Sequence, residues 1–239
     1  MTTYISKVTV KRLVKDIKQI KENPLHDNGI YYCHDDSNIL KGYALIIGPK
    51  NTPYNYGYYL FSIDYPSEYP YQPPKFTYST NDGITRFHPN LYVNGKVCLS
   101  LLNTWHGPQW TSCNSLLSIL LSIHSTIFIN NPLTNEPGFE HSTNGIQSNN
   151  YNKIVEYGTY NVSIIKMIKY TPIKFKYFKS IMITELHKNH LKILEKLNNN
   201  NKKYKNNSTI KCNVYNMNIC INYEDMISSL KLLIEDNKE

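Results

Sequence analysis

The sequence predicts an α+β domain: a four-stranded antiparallel meander with an N-terminal helix, a central buried helix and C-terminal helices. Three observations lead there. Val10, Leu13, Val14, Ile17 and Ile20 recur at the spacing of one helical face. Four short β-rich runs follow with brief links, a pattern of antiparallel neighbours rather than of crossovers. A long apolar run from Ser115 to Ile129 then has the length of a helix.

The first helix carries Lys11, Arg12, Lys15, Lys18 and Lys21 between its apolar residues, which reads as a solvated face. Asn23-Pro24 stops it, because the residue before a proline disfavours the helical region. Gly29 to Cys33 and Tyr43 to Ile47 are the first two strands, and Gly48-Pro49 with Asn51-Thr52-Pro53 punctuates the link that follows. In the third, Tyr59, Phe61 and Ile63 alternate with Tyr58, Leu60 and Ser62, a period of two. Lys75 to Tyr78 is the fourth. Such a meander needs helices over its apolar face.

In the second helix Leu116, Leu117, Ile119, Leu120, Leu121, Ile123, Ile127 and Phe128 cover most of the circumference, so it is expected to be central and buried. Thr111, Ser112 or Asn114 is expected to cap it. Ser115, Ser118, Ser122 and Ser125 read as a small stripe permitting close packing, with a partner surface as the alternative. After Asn130-Asn131-Pro132 the chain is irregular to about Asn150, and helical patterning resumes from Tyr151 to Tyr170. Beyond Thr171-Pro172 an amphipathic segment carries Phe175, Phe178, Met182, Leu186, Ile193 and Leu197 on one side. The Asn/Lys-rich run from Asn198 reads as a flexible linker, and the tail from Ile210 as a short hairpin with a helix near Met226 to Ile234. The predicted organisation is therefore a main domain over 5–160, a helical extension over 161–197, a linker over 198–209 and a small tail over 210–239.

Composition sets the outer limits. A hydrophobic fraction of 41% with 13% aromatic residues supports a packed core and excludes wholesale disorder. The 21 tyrosines, with abundant Asn, Ile and Lys, look like AT-rich codon usage, which weakens arguments from composition. The formal charge is +8, but no Arg-rich stripe organises it, so a nucleic-acid partner is not expected. Cys33, Cys98, Cys113, Cys212 and Cys220 are odd in number and lack a C-x-x-C pair, which argues against a disulfide framework and a zinc site. Met1 to Val10 contains no apolar signal segment, and no apolar run reaches membrane-spanning length. The expectation is an intracellular protein, cytoplasmic or nuclear, with no membrane partner.

The chemically informative stretch runs from Arg86 through His88-Pro89-Asn90 to Asn94-Gly95-Lys96-Val97-Cys98. Taken alone, Cys98 is a small core residue or a thiol nucleophile; the second requires exposure to an incoming carbonyl and a nearby oxyanion donor. His88 and His106 are the histidines near it in sequence, and neither lies in a hydrolase signature.

His88-Pro89-Asn90 followed by Cys98 in Gly-Lys-Val-Cys-Leu resembles the active-site signature of ubiquitin-conjugating enzymes. The stretch Tyr65-Pro66-Ser67-Glu68-Tyr69-Pro70-Tyr71-Gln72-Pro73-Pro74-Lys75 resembles that family's proline-rich loop, and Lys11 through Pro24 its opening helix. The residues between Cys98 and Trp110, and Asn135-Glu136-Pro137-Gly138-Phe139-Glu140, are similar to the large extended subgroup that includes hybrid conjugating/ligase enzymes. The resemblance implies the ubiquitin-conjugating fold and a transferase in which Cys98 carries ubiquitin as a thioester and passes it to a lysine or a ligase. It implies Asn90 as oxyanion donor or brace of the loop, with His88 and Pro89 as supports. No phosphate-binding glycine loop is present, and none is implied: no cofactor is bound, and ATP is used by the ubiquitin-activating enzyme.

Two departures stand out. Ser100 occupies a position, two after the cysteine, that is often acidic in the family, and Glu136 is the nearest match to an acid that orients the lysine. The implied partners are ubiquitin, the activating enzyme at Lys11 and Arg12, a ligase at Pro70 and Tyr71 (dispensable in the hybrid subgroup), donor ubiquitin at Leu121, and protein substrates. Trp110-Thr111-Ser112-Cys113 departs from the family's second ligase-contact loop, which puts conventional RING docking in question, and Tyr69–Pro70 is expected to be cis. The alternatives are a ubiquitin-like modifier as cargo, or a non-catalytic binding module of the same fold.

Overall fold

The computed structural model describes residues 5–237; residues 1–4 of the N-terminal stretch read as free of a signal, and 238–239 of the tail, lie outside the described residues. Helix α1 (Lys7–Glu22) starts where the Ser6 hydroxyl accepts the Thr9 amide at 3.0 Å. Its buried face is Thr9, Leu13, Asp16 and Ile20, whereas Val14 of the expected stripe is exposed. Asp16 can lie inside because the Arg12 Nε donates to it at 2.9 Å and the Tyr69 hydroxyl donates as well.

Strands β1 (Ile30–His34), β2 (Lys41–Ile47), β3 (Tyr58–Asp64) and β4 (Lys75–Tyr78) form the antiparallel meander in chain order. Its register pairs Ile30 with Ile46, Leu45 with Leu60, and Phe61 with Tyr78. Alternation along β2 and β3 sends Ala44, Ile46, Tyr59, Phe61 and Ile63 into a cluster with Leu13 and the helix α2 (Leu116–Thr126). The intervening Leu45, Tyr58 and Leu60 join a second cluster on the other side. Both faces of the sheet are covered.

The second cover is built by the C-terminal segments. Helix α3 (Ile146–Gly158) continues through a π-helical stretch (Thr159–Lys166) into α4 (Met167–Lys169). A 3-10 segment (Ile173–Phe178) leads to α5 (Lys179–Lys203), and Phe175, Phe178, Met182, Leu186, Ile193 and Leu197 are all buried against Leu45, Tyr58 and Leu60. Strands β5 (Ser208–Cys212) and β6 (Met217–Ile221) form an antiparallel hairpin before α6 (Tyr223–Asp236).

Several expectations change. The predicted linker is helical through Lys203: Asn200 is buried and its side-chain amide donates to Glu156 at 2.9 Å, which ties that turn to α3. The tail is not an appendage, because Cys212 and Met217 enter the first core and Leu230 and Ile234 the second. The boundary drawn at 160 falls inside the continuous helical run, where Thr159 donates to the Pro53 carbonyl at 2.9 Å and bonds Tyr59 at 2.8 Å. Ser115, rather than Thr111, Ser112 or Asn114, caps α2 in a capping box with Ser118, so the first two serines of the stripe are engaged in hydrogen bonds at the helix start. Leu116, Ile119, Leu120 and Ile123 bury the inner face of α2, while Leu121 looks outward.

Candidate active site around Cys98

The loop before Cys98 lies outside the helices and strands and is held by isolated bridges and turns, to which side chains from elsewhere in the fold add hydrogen bonds. The Arg86 carbonyl accepts the Tyr151 hydroxyl at 2.7 Å, and the Phe87 carbonyl accepts the Tyr54 hydroxyl at 2.7 Å. The Arg86 guanidinium turns back along the chain and donates to the His88 carbonyl at 3.1 Å and the Pro89 carbonyl at 2.6 Å. Four consecutive carbonyls are thereby bound, as buried backbone requires.

His88 is fully buried, and its Nδ1 accepts the Asn90 amide at 3.0 Å. Burial, with the nearby Arg86 charge, pushes its pKa down to about 3. The ring is therefore neutral near pH 7, with its proton on Nε2 and its basic nitrogen already engaged. It cannot serve as a proton acceptor for Cys98. His106, stacked on Trp105 at 4.5 Å, sits in the exposed insertion. Among the described residues, neither of these histidines makes a hydrogen bond to the Cys98 thiol, as a histidine-activated thiol of the hydrolase type would require.

Asn90 and Cys98 are joined reciprocally. The Cys98 amide donates to the Asn90 carbonyl at 2.9 Å, and the Asn90 side-chain amide donates to the Cys98 carbonyl at 2.8 Å. On the far side of the cysteine, the Thr104 hydroxyl accepts the Leu99 amide and donates to the Val97 carbonyl, both at 2.9 Å. The cysteine is fixed from both sides. It is also only 2% exposed, which differs from the open thiol that the chemistry requires. Asn90 Oδ1 and His88 Nε2 are buried without a hydrogen-bond partner among the described residues.

The remaining predicted residues separate. Glu136 follows the 3-10 turn Pro132–Asn135 and is half-buried, and its carboxylate accepts from Tyr215 of the C-terminal hairpin. Lys11 is exposed, but Arg12 is not free to receive a partner as expected: besides Asp16, it donates to the Ser112 carbonyl at 2.5 Å and to the Asn114 carbonyl, locking α1 to the entry of α2. Tyr71 is 71% exposed, whereas Pro70 is buried and its carbonyl accepts the Trp110 indole at 2.7 Å. The Tyr69–Pro70 bond is cis, as expected. Leu121 is 37% exposed on α2. Arg86, Tyr54, Tyr151 and Tyr215 were not singled out from the sequence. Arg86 borders the His-Pro-Asn motif, and the tyrosines carry no local signal of their role.

Comparison with known proteins places the chain in a family. The family model described as "Ubiquitin-conjugating enzyme" matches residues 12–159, more than half of the chain. Ubiquitin-conjugating enzyme E2 Z of Xenopus tropicalis is 41% identical over 161 residues, covering 67% of this chain and 50% of the relative. The Homo sapiens protein of the same name is 40% identical over 159 residues, covering 66% and 44%. The dual E2 ubiquitin-conjugating enzyme/E3 ubiquitin-protein ligase BIRC6 of Homo sapiens is 46% identical over 104 residues, 41% of this chain and 2% of that protein. The chain spans about half the length of the E2 Z relatives it matches.

Proposed function

The chain belongs to the ubiquitin-conjugating enzyme family, and from that membership we propose that Cys98 accepts activated ubiquitin as a thioester and transfers it to a target lysine or to a ligase. The observation that carries the reading is the reciprocal pair of hydrogen bonds seating Cys98 against Asn90. In the first step the Cys98 thiolate attacks the thioester carbonyl presented by an activating enzyme, whose own thiolate leaves. In the second, a lysine amine attacks the Cys98 thioester; an isopeptide bond forms, the thiolate leaves and the amine proton passes to solvent. A ligase thiol as acceptor yields a new thioester instead. ATP is consumed upstream, so this chain requires no cofactor of its own.

In this reading Asn90 works as a brace. Its amide protons point at the Cys98 carbonyl, so it fixes the nucleophile's backbone before any oxyanion exists. His88 and Pro89 support the same loop, and Glu136 acts through the contact with Tyr215 rather than as a free acid at the lysine. Because Cys98 is buried, loading requires a local displacement around the thiol. Lys11, Tyr71 and Leu121 are the exposed candidates for the activating enzyme, a ligase and donor ubiquitin. Similarity to a dual conjugating enzyme/ligase supports transfer without a separate ligase. A cytoplasmic or nuclear site of action fits the partners. No helix among the described residues is long and apolar enough to cross a membrane.

A loading assay tests the proposal. The protein is mixed with ubiquitin, ATP and an activating enzyme and run on gels with and without thiol. A ubiquitin-sized shift that thiol removes, and that Cys98→Ala abolishes, is expected; Cys98→Ser should leave a thiol-resistant ester. Loading with a ubiquitin-like modifier alone would reassign the cargo. No loading with any modifier would leave a binding module.

A further inference from the structure

The hairpin β5–β6 is drawn onto the flank of the catalytic loop. Asn150 of α3 donates to the Lys211 carbonyl at 2.9 Å, and Gln147 Oε1 accepts the Asn213 amide at 3.0 Å. Across the hairpin, the Arg86 amide lies 3.3 Å from the Met217 sulfur. These contacts bring the turn between the strands, Val214–Asn216, to Arg86. At its centre Tyr215 has φ +62° and ψ +14°, and Asn216 follows at φ +51°. Two left-handed residues in succession suit the twist of a hairpin, but they favour Gly, Asn or Asp. A bulky tyrosine there is strained, and backbone strain of this kind clusters where a side chain has a task.

The Tyr215 ring supplies one. The Arg86 guanidinium lies between two aromatic rings, 3.5 Å from the centroid of Tyr92 and 4.8 Å from that of Tyr215. The Tyr215 hydroxyl donates to the Glu136 carboxylate, and its ring packs on Tyr151, whose own hydroxyl holds the Arg86 carbonyl. Arg86 in turn grips the His88 and Pro89 carbonyls. A continuous set of contacts runs from the C-terminal hairpin through Arg86 to the loop that carries Asn90 and seats Cys98.

We propose that Tyr215 is a positioning residue for acyl transfer: the C-terminal hairpin aligns Arg86, and through Arg86 the His88-Pro89-Asn90 loop against Cys98. This rests on the conjugation reading above. It makes the C-terminal segment part of the transfer apparatus instead of a separate appendage.

The test combines single-turnover discharge of the Cys98 thioester to free lysine with amide hydrogen exchange on the full chain. Tyr215→Leu keeps apolar bulk but removes the aromatic face and the hydroxyl. It should slow discharge about tenfold at unchanged KM for lysine, the effect of a small misplacement at a reacting centre. Tyr215→Phe restores the ring over Arg86 and should recover to within about threefold of the native rate, since it lacks only the Glu136 bond. In a double-mutant cycle, Arg86→Ala with Tyr215→Leu should be no slower than Arg86→Ala alone, because the tyrosine acts through the arginine. The Cys98 and Leu91 amides, which donate to Asn90 and His88, should exchange faster in Tyr215→Leu while those of α2 do not change. Multiplicative rate losses in the cycle would overturn the proposal, as would native discharge and exchange in Tyr215→Leu. A native protein that never forms the thioester would sink the conjugation reading instead, and the exchange data would still decide whether the hairpin holds the loop.

Discussion

The His88 imidazole is buried as a neutral ring, accepting from the Asn90 amide, with its pKa near 3 rather than its ordinary 6.5. As pH falls below 6.5 the unfolded chain takes up a proton that the folded chain refuses, so stability declines with falling pH until about 3. This one group should remove about 2 kcal/mol between pH 7 and pH 5. Urea unfolding at the two pH values should show that loss reduced in His88→Asn, whose side-chain oxygen can replace Nδ1 as acceptor without titrating. Asn90→Ala strips the buried Cys98 carbonyl of its side-chain donor and should cost about 1–3 kcal/mol by the same measurement. The His-Pro-Asn and Cys98 positions were legible from the motif. Their mutual hydrogen bonds, and the burial of the thiol, depend on Thr104, Arg86, Tyr54 and Tyr151, which no local pattern marks.

Among the elements, α1 keeps only Leu13 and Ile20 of its expected stripe inside, whereas the four strands and the amphipathic Phe175 to Leu197 segment follow their hydrophobic periods closely, because each buries a face whose spacing is set by its own geometry. The run Asn198 to Lys203 does not. Its composition favours a linker, yet α5 extends through it because the buried Asn200 reaches Glu156 and the turn packs on α3. A proline at Asn199, exposed and inside that helix, should therefore lower stability by about 3 kcal/mol, where a linker would tolerate it. Thermal or urea melts of Asn199→Pro decide between them. Leu121 likewise escapes the apolar count of α2: the helix is buried on its inner face only, and the sequence has no means of showing which leucine the sheet leaves uncovered.

In the whole molecule, β2 and β3 contribute alternate residues to two cores, one shared with α1 and α2, the other with α5 and α6. Neither half can open without exposing the other's sheet face, so unfolding should be a single transition. Fluorescence of Trp105 and Trp110, both in the half that holds Cys98, should coincide with far-UV circular dichroism in urea. Removal of residues 161–237 should expose Leu45, Tyr58 and Leu60 and yield a dye-binding, aggregation-prone product. Two separate transitions, or a well-packed truncated domain, would contradict a shared sheet.

By itself the sequence determined the α+β class, the order of the meander, the family signature and the identity of the candidate nucleophile. These depend on local periodicity and on residues close together in the chain. Only the tertiary structure decided that the C-terminal segments form the second cover of the sheet, that Arg12 is engaged between α1 and α2, and that Tyr215 meets Arg86 and Glu136. Those contacts join residues far apart in sequence. Their partners are chosen by the packing of whole elements, which local pattern does not encode.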